Sequence, residues 1–286
     1  MTISKITGNN LTNAAGSLLT VLDTALLPNG WTKLYSGTNK AVYRSTDGVT
    51  QCCLRVLDNG TTYATINAYE TMSDVDTGSN PFPATGSLYA HKSDSATGRN
   101  WRVITDGSFF YLFADYSGSY WSEALWFGDI HTLANVDKFH AFLLAAPSTS
   151  WNSSTHTSLA GATTGSYLAR SYTQVAGAIS AGRYSHVKAQ QFFSAVLPYP
   201  SPVGNGVVIA PVEVWEGTTQ LRGHLPGIYA TLNTTANIPD GTQITTVPLL
   251  PGRTLEFQSL PLAGGKYAPC FDLTGPWRTI YEGVGS

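Results

Sequence analysis

Between positions 101 and 130 the chain reads WRVITDGSFFYLFADYSGSYWSEALWFGDI, two aromatic-rich runs separated by a short Ser/Gly turn. Strand side chains alternate between faces, so a hairpin here sends Phe109, Tyr111 and Phe113 to one side and Phe110, Leu112 and Ala114 to the other. Both faces are then apolar. Such a strand has to be covered twice, by the layers of a sandwich or barrel or by a partner subunit, which makes Phe109, Phe110, Tyr111, Phe113, Trp121, Trp126 and Phe127 core or interface candidates.

The 286 residues suffice for a large core in one elaborate all-β domain or in two. Charged residues make up 12% of the chain, about half the ~25% usual in soluble domains, so Ser, Thr and Asn must solvate much of the surface. A surface so weakly charged favours a protein packed among copies or partners. The net charge of -2 and the lack of a Lys/Arg run argue against nucleic-acid binding. Cys52, Cys53 and Cys270 form no metal-ligand spacing and read as small hydrophobes. The first residues, MTISKITGNN, lack the apolar core of a signal peptide, and no segment approaches ~20 apolar residues, so synthesis in a reducing cytoplasm without membrane insertion is expected.

Positions 12 to 27 carry the one clear helical pattern. Thr12 or Asn13 is placed to cap, Ala15, Leu18, Leu19, Leu22, Ala25 and Leu26 form a stripe, and Pro28, Asn29 and Gly30 stop it. Short β runs follow at 31 to 35, 41 to 46, 51 to 57 and 62 to 70, separated by Ser-Gly, Asp-Gly and Asn-Gly turns. Positions 73 to 86 read as a loop, with strands resuming near Leu88, Trp101, Phe109 and Phe139. A Ser/Thr-rich excursion is expected around 147 to 189, with a short helix over 172 to 187. Pro198, Pro200 and Pro202 suggest a connector, which divides the chain into a main part, 1 to 200, and a β-rich part, 201 to 286, the latter a candidate small second domain. The expected fold is mainly β, an antiparallel meander forming a sandwich or barrel, with one N-terminal amphipathic helix.

No catalytic signature matches the hairpin in strength. Asp74 and Asp76 with Gly78 resemble the start of a calcium loop, but the next alternate acid and the closing glutamate are missing, so a turn role competes. Glu70, Asp74, Glu123 and Asp129 could supply a carboxylate pair for glycoside hydrolysis only if the fold brought two together. None of the six histidines stands at i, i+2 or i+4 from another, no G-x-S-x-G elbow occurs, and no cofactor is implied. Trp121, beside a turn, and Trp151, in the Ser/Thr-rich excursion, are the candidates for stacking on a sugar.

Several strings together resemble a family of tailed-bacteriophage virion structural proteins: GWTKLYSGTNKAVYR (30 to 44), YETMSDVDTGSNPFP (69 to 83), FFYLFADYSG (109 to 118), LWFGDI (125 to 130), RGHLPGIYATL (222 to 232), LPGRTLEF (250 to 257) and FDLTGPW (271 to 277). The resemblance spans most of the chain and brings no catalytic residue with it. It implies a non-enzymatic particle component, made and assembled in the host cytoplasm in multiple copies, contacting itself and other virion proteins. A tail or baseplate position is the first expectation; a head or neck decoration protein and a module binding host-surface glycan are the alternatives.

Overall fold

The computed structural model describes residues 3–118, 121–132, 139–150, 165–184, 209–216, 220–231, 241–245, 252–257, 260–262, 265–267, 270–274 and 277. The chain is mainly β and antiparallel. It opens with strand β1 (Ser4–Leu11) and helix α1 (Ser17–Leu26), then runs through β2 (Trp31–Gly37), β3 (Lys40–Ser45), β4 (Cys53–Leu57), β5 (Tyr63–Met72), β6 (Gly78–Phe82) and β7 (Leu88–His91). The aromatic region supplies β8 (Arg99–Thr105), β9 (Phe109–Asp115) and β10 (Trp121–Asp129), followed by β11 (His131–Thr132), β12 (Ala141–Leu144), β13 (Ser166–Arg170) and β14 (Ala176–Tyr184). Later come β15 (Ile209–Glu216), β16 (Gln220–Thr231), β17 (Gln243–Thr245), β18 (Thr254–Phe257), β19 (Leu260–Leu262), β20 (Gly265–Tyr267) and β21 (Cys270–Asp272).

Two sheets carry the architecture. The smaller is the meander β2-β3-β4-β5-β6, with β7 also pairing β5. The larger runs β1-β8-β9-β10-β12-β13-β14-β15-β16-β21-β18-β17, with β11 attached to β16. Lys5 on β1 pairs with Glu256 on β18, so strands near opposite ends of this sheet meet and the sheet must curl back on itself. The result is three layers: the meander with α1, the first half of the large sheet, and its second half.

The middle layer has a core on each face. Phe110, Leu112 and Ala114 of β9 join Trp31, Tyr43, Leu54, Ile66 and the helix leucines in one cluster. Phe109, Tyr111 and Phe113 join Val212, Val214, Ile228, Phe271 and Trp277 in another. The same alternation holds in β12, where Ala141 and Leu143 face the first cluster and Phe142 and Leu144 the second. This accounts physically for the two-sided apolar strand: β9 lies inside one chain between two layers, where every residue from Phe109 to Ala114 is fully buried. The second cluster also draws on residues from both sides of position 200, and β14 pairs with β15 across it.

Three local expectations need correction. The helix begins at Ser17, and neither Thr12 nor Asn13 caps it; Gly16 stands at the N-cap with φ 78°, and the Leu18 N–H donates instead to Asp58 Oδ2 at 2.7 Å. A carboxylate from forty residues downstream thus satisfies a helix-end donor. Asp58 and Lys92 are themselves fully buried and ion-paired, and Lys92 Nζ also donates to the Ala14 carbonyl at 2.9 Å. Within the expected loop at 73 to 86, Gly78–Phe82 is a strand, paired with β5 from Ala68 to Met72. Within the expected helix at 172 to 187, Ala176–Tyr184 is a strand that bridges β13 and β15, because partners on both sides outweigh its weak helical pattern.

Candidate functional site

The aromatic residues singled out in the sequence resolve into core. Tyr111 is the hub of the second cluster, edge-on to Trp126, Phe271 and Trp277 with centroids 5.0, 5.1 and 5.6 Å away, and its hydroxyl donates to the Pro226 carbonyl at 2.6 Å. Burial, with the negative charge of Asp106 a lesser cause, holds that phenol well above its usual range, so it stays a neutral donor. Phe110 and Phe127 pack around Trp31 in the first cluster. Trp121 is half-buried, and the Arg102 guanidinium lies 5.2 Å from its ring centroid, so this ring is partly occupied as a stacking surface. Trp151 lies outside the described residues.

The acidic candidates separate in space and in role. Asp74 Oδ1 accepts from the Asp76 and Thr77 N–H groups at 2.7 and 2.8 Å, an Asx turn that closes the β5-β6 hairpin. Asp76 is ion-paired with Lys40 and Arg55. Backbone donors to Asp74, and the Lys40 and Arg55 side chains beside Asp76, hold both carboxyls below their usual range. This corrects the calcium reading: Asp74 spends an oxygen on backbone donors while Asp76 faces two cations. No group of three His, Cys, Asp or Glu side chains among the described residues is arranged to hold a metal ion.

Glu70 takes a bidentate grip from Arg170, with Nη2 to Oε2 at 2.8 Å, and accepts from Asn80 Nδ2 at 2.7 Å. Burial alone would raise this carboxyl; the hydrogen bonds from Arg170 and Asn80 outweigh it and keep the group ionised below the usual range. The pair ties β5 to β13 across the layer boundary. For Glu123 the structure describes only the backbone register, opposite Phe113.

Asp129, at the end of β10, has the richest polar setting. It accepts from the Val49 and Thr50 N–H groups and from the Thr50 hydroxyl, and His140 Nε2 stands 4.0 Å away. Beside it lies a recess of about 10 Å³, lined by Trp31, Ser45, Gly48, Cys52 and Phe127, room for about one water. The Ser45 hydroxyl donates to the Gly107 carbonyl at 2.5 Å and accepts from the Gly48 N–H at 2.7 Å. Burial, chiefly, pushes the Cys52 thiol up to about 12, leaving it protonated and a poor nucleophile. The arrangement clamps the β3-β4 turn onto the middle layer: Asp129 binds peptide donors, and the adjacent thiol is unreactive. Sequence reasoning named Asp129 as a catalytic candidate but missed this anchoring role, because its donors lie about eighty residues upstream with no local pattern.

Two histidines sit deep in the fold. His91 is fully buried, with Nε2 3.1 Å from the Ser148 carbonyl, and burial lowers its pKa. His224 is 3% exposed and stands in register with His131 across β16 and β11. Burial, with His131 as a second cause, lowers its pKa to about 4. No helix among the described residues is long and apolar enough to cross a membrane. No protein-family model matches the chain, and no curated protein matches its sequence.

Proposed function

We propose that this chain is a non-enzymatic structural component of a tailed-phage particle, positioned in the tail or baseplate region and present in multiple copies. The observation that carries the reading is where the phage-like strings fall. GWTKLYSGTNKAVYR is the β2-β3 hairpin, YETMSDVDTGSNPFP the β5-β6 hairpin, and FFYLFADYSG with LWFGDI the β9-β10 pair. The later strings supply β16, β18 and β21, and with them Tyr229, Phe257, Phe271 and Trp277. The likeness is therefore one of load-carrying framework, as expected for a protein whose task is to keep its shape within an assembly.

The polar clusters support the same reading. Glu70 with Arg170, Asp129 with the turn at Val49 and Thr50, and Lys92 with Asp58 each join separate elements of the fold. A framework of this kind, weakly charged outside, suits permanent contacts with copies and neighbours under a symmetry operator. The test is to raise antibodies to the purified chain and label phage particles for electron microscopy, alongside light scattering of the free protein. Regular labelling of the tail or baseplate is expected. Labelling confined to the head or neck moves the position, and a monodisperse monomer without affinity for particles overturns the reading.

A further inference from the structure

We propose that the cross-strand pair His131 and His224 is an acid-operated latch: protonation in mild acid releases β11 from β16 while the three-layer core stays folded. The placement of β11 makes this possible. It directly follows β10 in the middle layer, yet pairs with β16 in the outer half of the large sheet, so its two residues strap one half to the other. Only two register pairs hold the strap, His131 with His224 and Thr132 with Gly223.

Directly paired residues of antiparallel strands share a face, with Cβ atoms about 4.5–5.5 Å apart, so the two imidazoles are cross-strand neighbours. The contact is close: a Cβ built on Gly223 would lie 2.0 Å from the His131 carbonyl oxygen, so β11 rests against β16 where only glycine fits. On the other flank of His224, Glu213 of β15 stands in register with it. That carboxylate accepts a hydrogen bond from Trp215 Nε1 at 2.9 Å. Arg222, two residues back on β16, is 2% exposed; its guanidinium donates to the Arg170 carbonyl and pairs with Glu216. On the β10 side the nearest acid, Asp129, is held by the turn at Val49 and Thr50 and faces His140.

A proton on His224 therefore puts charge on a buried ring beside a second histidine and a buried arginine, with one acid alongside that is already engaged. Burial and His131 both favour the neutral ring. Opening the strap relieves the strain most cheaply, since it exposes two strand residues and hydrates both rings.

The test is NMR on the intact chain from pH 7 to pH 4, reading the His224 ring titration together with amide exchange corrected for its intrinsic pH dependence. Expected is a loss of protection of about tenfold or more at β11 and its β16 partners, tracking His224 protonation, while the β9 amides from Phe110 to Leu112 stay protected. His224→Phe should keep the strap protected at pH 4; His131→Asn, a milder change, should raise the pH at which His224 titrates. The proposal is overturned if the strap stays closed once His224 is protonated, opens while the ring is neutral, or opens only together with β9.

Discussion

Asp58 and Lys92 have no solvent exposure, and each serves a second structural purpose, Asp58 on the Leu18 N–H and Lys92 on the Ala14 carbonyl. Removing one charge from such a pair strands the other in the core, whereas removing both does not. Asp58→Asn keeps an oxygen for the helix but leaves Lys92 unpaired, so a loss of about 3–5 kcal/mol in urea unfolding is expected. Asp58→Asn with Lys92→Met should recover much of it; equal instability of the single and double variants would refute the pair as the cause. A second residue-scale constraint lies at Gly227, whose φ is 65° and where a Cβ would meet Trp277 Nε1 at 2.1 Å. Trp277 is pinned by its own hydrogen bond to the Asp272 carbonyl, so the ring cannot simply swing away. Gly227→Ala should cost about 2–4 kcal/mol, against almost nothing for the open Gly241→Ala, which has the same sign of φ and shares the backbone penalty but not the clash.

At the scale of elements, β9 is the strand most legible in the sequence, because period-two alternation with apolar residues at both phases has few other solutions. The equal burial of both its faces predicts that Phe109→Ala and Phe110→Ala each cost about 3–5 kcal/mol, although they open different cores. Tyr111→Phe removes only the donor to the Pro226 carbonyl and should cost about 1–2 kcal/mol. A tolerant Phe109 or Phe110 in thermal unfolding would argue against the middle-layer assignment. Other elements were hidden for identifiable reasons. The start of α1 was obscured because its donor is satisfied by Asp58 rather than by a local cap. The β6 strand carries Gly78 and Pro81 at a sheet edge, where proline is tolerated but the sequence reads as loop. In β14, small residues and two glycines gave no strand signal, and only pairing on both sides fixes the conformation. Among the candidate site residues, Asp74 was readable as a turn former, whereas the partners of Glu70 and Asp129 lie about a hundred and eighty residues away along the chain respectively, beyond any spacing rule.

Across the whole molecule, the buried histidines and paired carboxylates divide the acid response into two windows. His224 titrates near pH 4 in the fold and near 6.5 unfolded, so the unfolded chain binds the proton first as pH falls. Its contribution is complete above pH 6.5 and is lost as pH drops toward 4, about 2 kcal/mol of it by pH 5 if the fold stays closed around the ring. His91, lowered by burial, acts in the same direction. Glu70, Asp74 and Asp76 are lowered carboxyls, so their contribution is present above their unfolded values and is lost only as pH falls below the ordinary carboxylate range. Urea unfolding at pH 7.5, 6 and 5 should therefore show stability already falling while the carboxylates remain charged. His224→Asn should flatten that upper slope whatever it does to stability at pH 7.5, since slope reports protons taken up and absolute stability reports packing. Local release of β11 would let His224 protonate without global unfolding, making the global loss smaller than about 2 kcal/mol by the free energy recovered on opening. A flat wild-type profile between pH 7.5 and 5, with exchange showing the strap closed throughout, would mean that His224 is not held neutral by the fold.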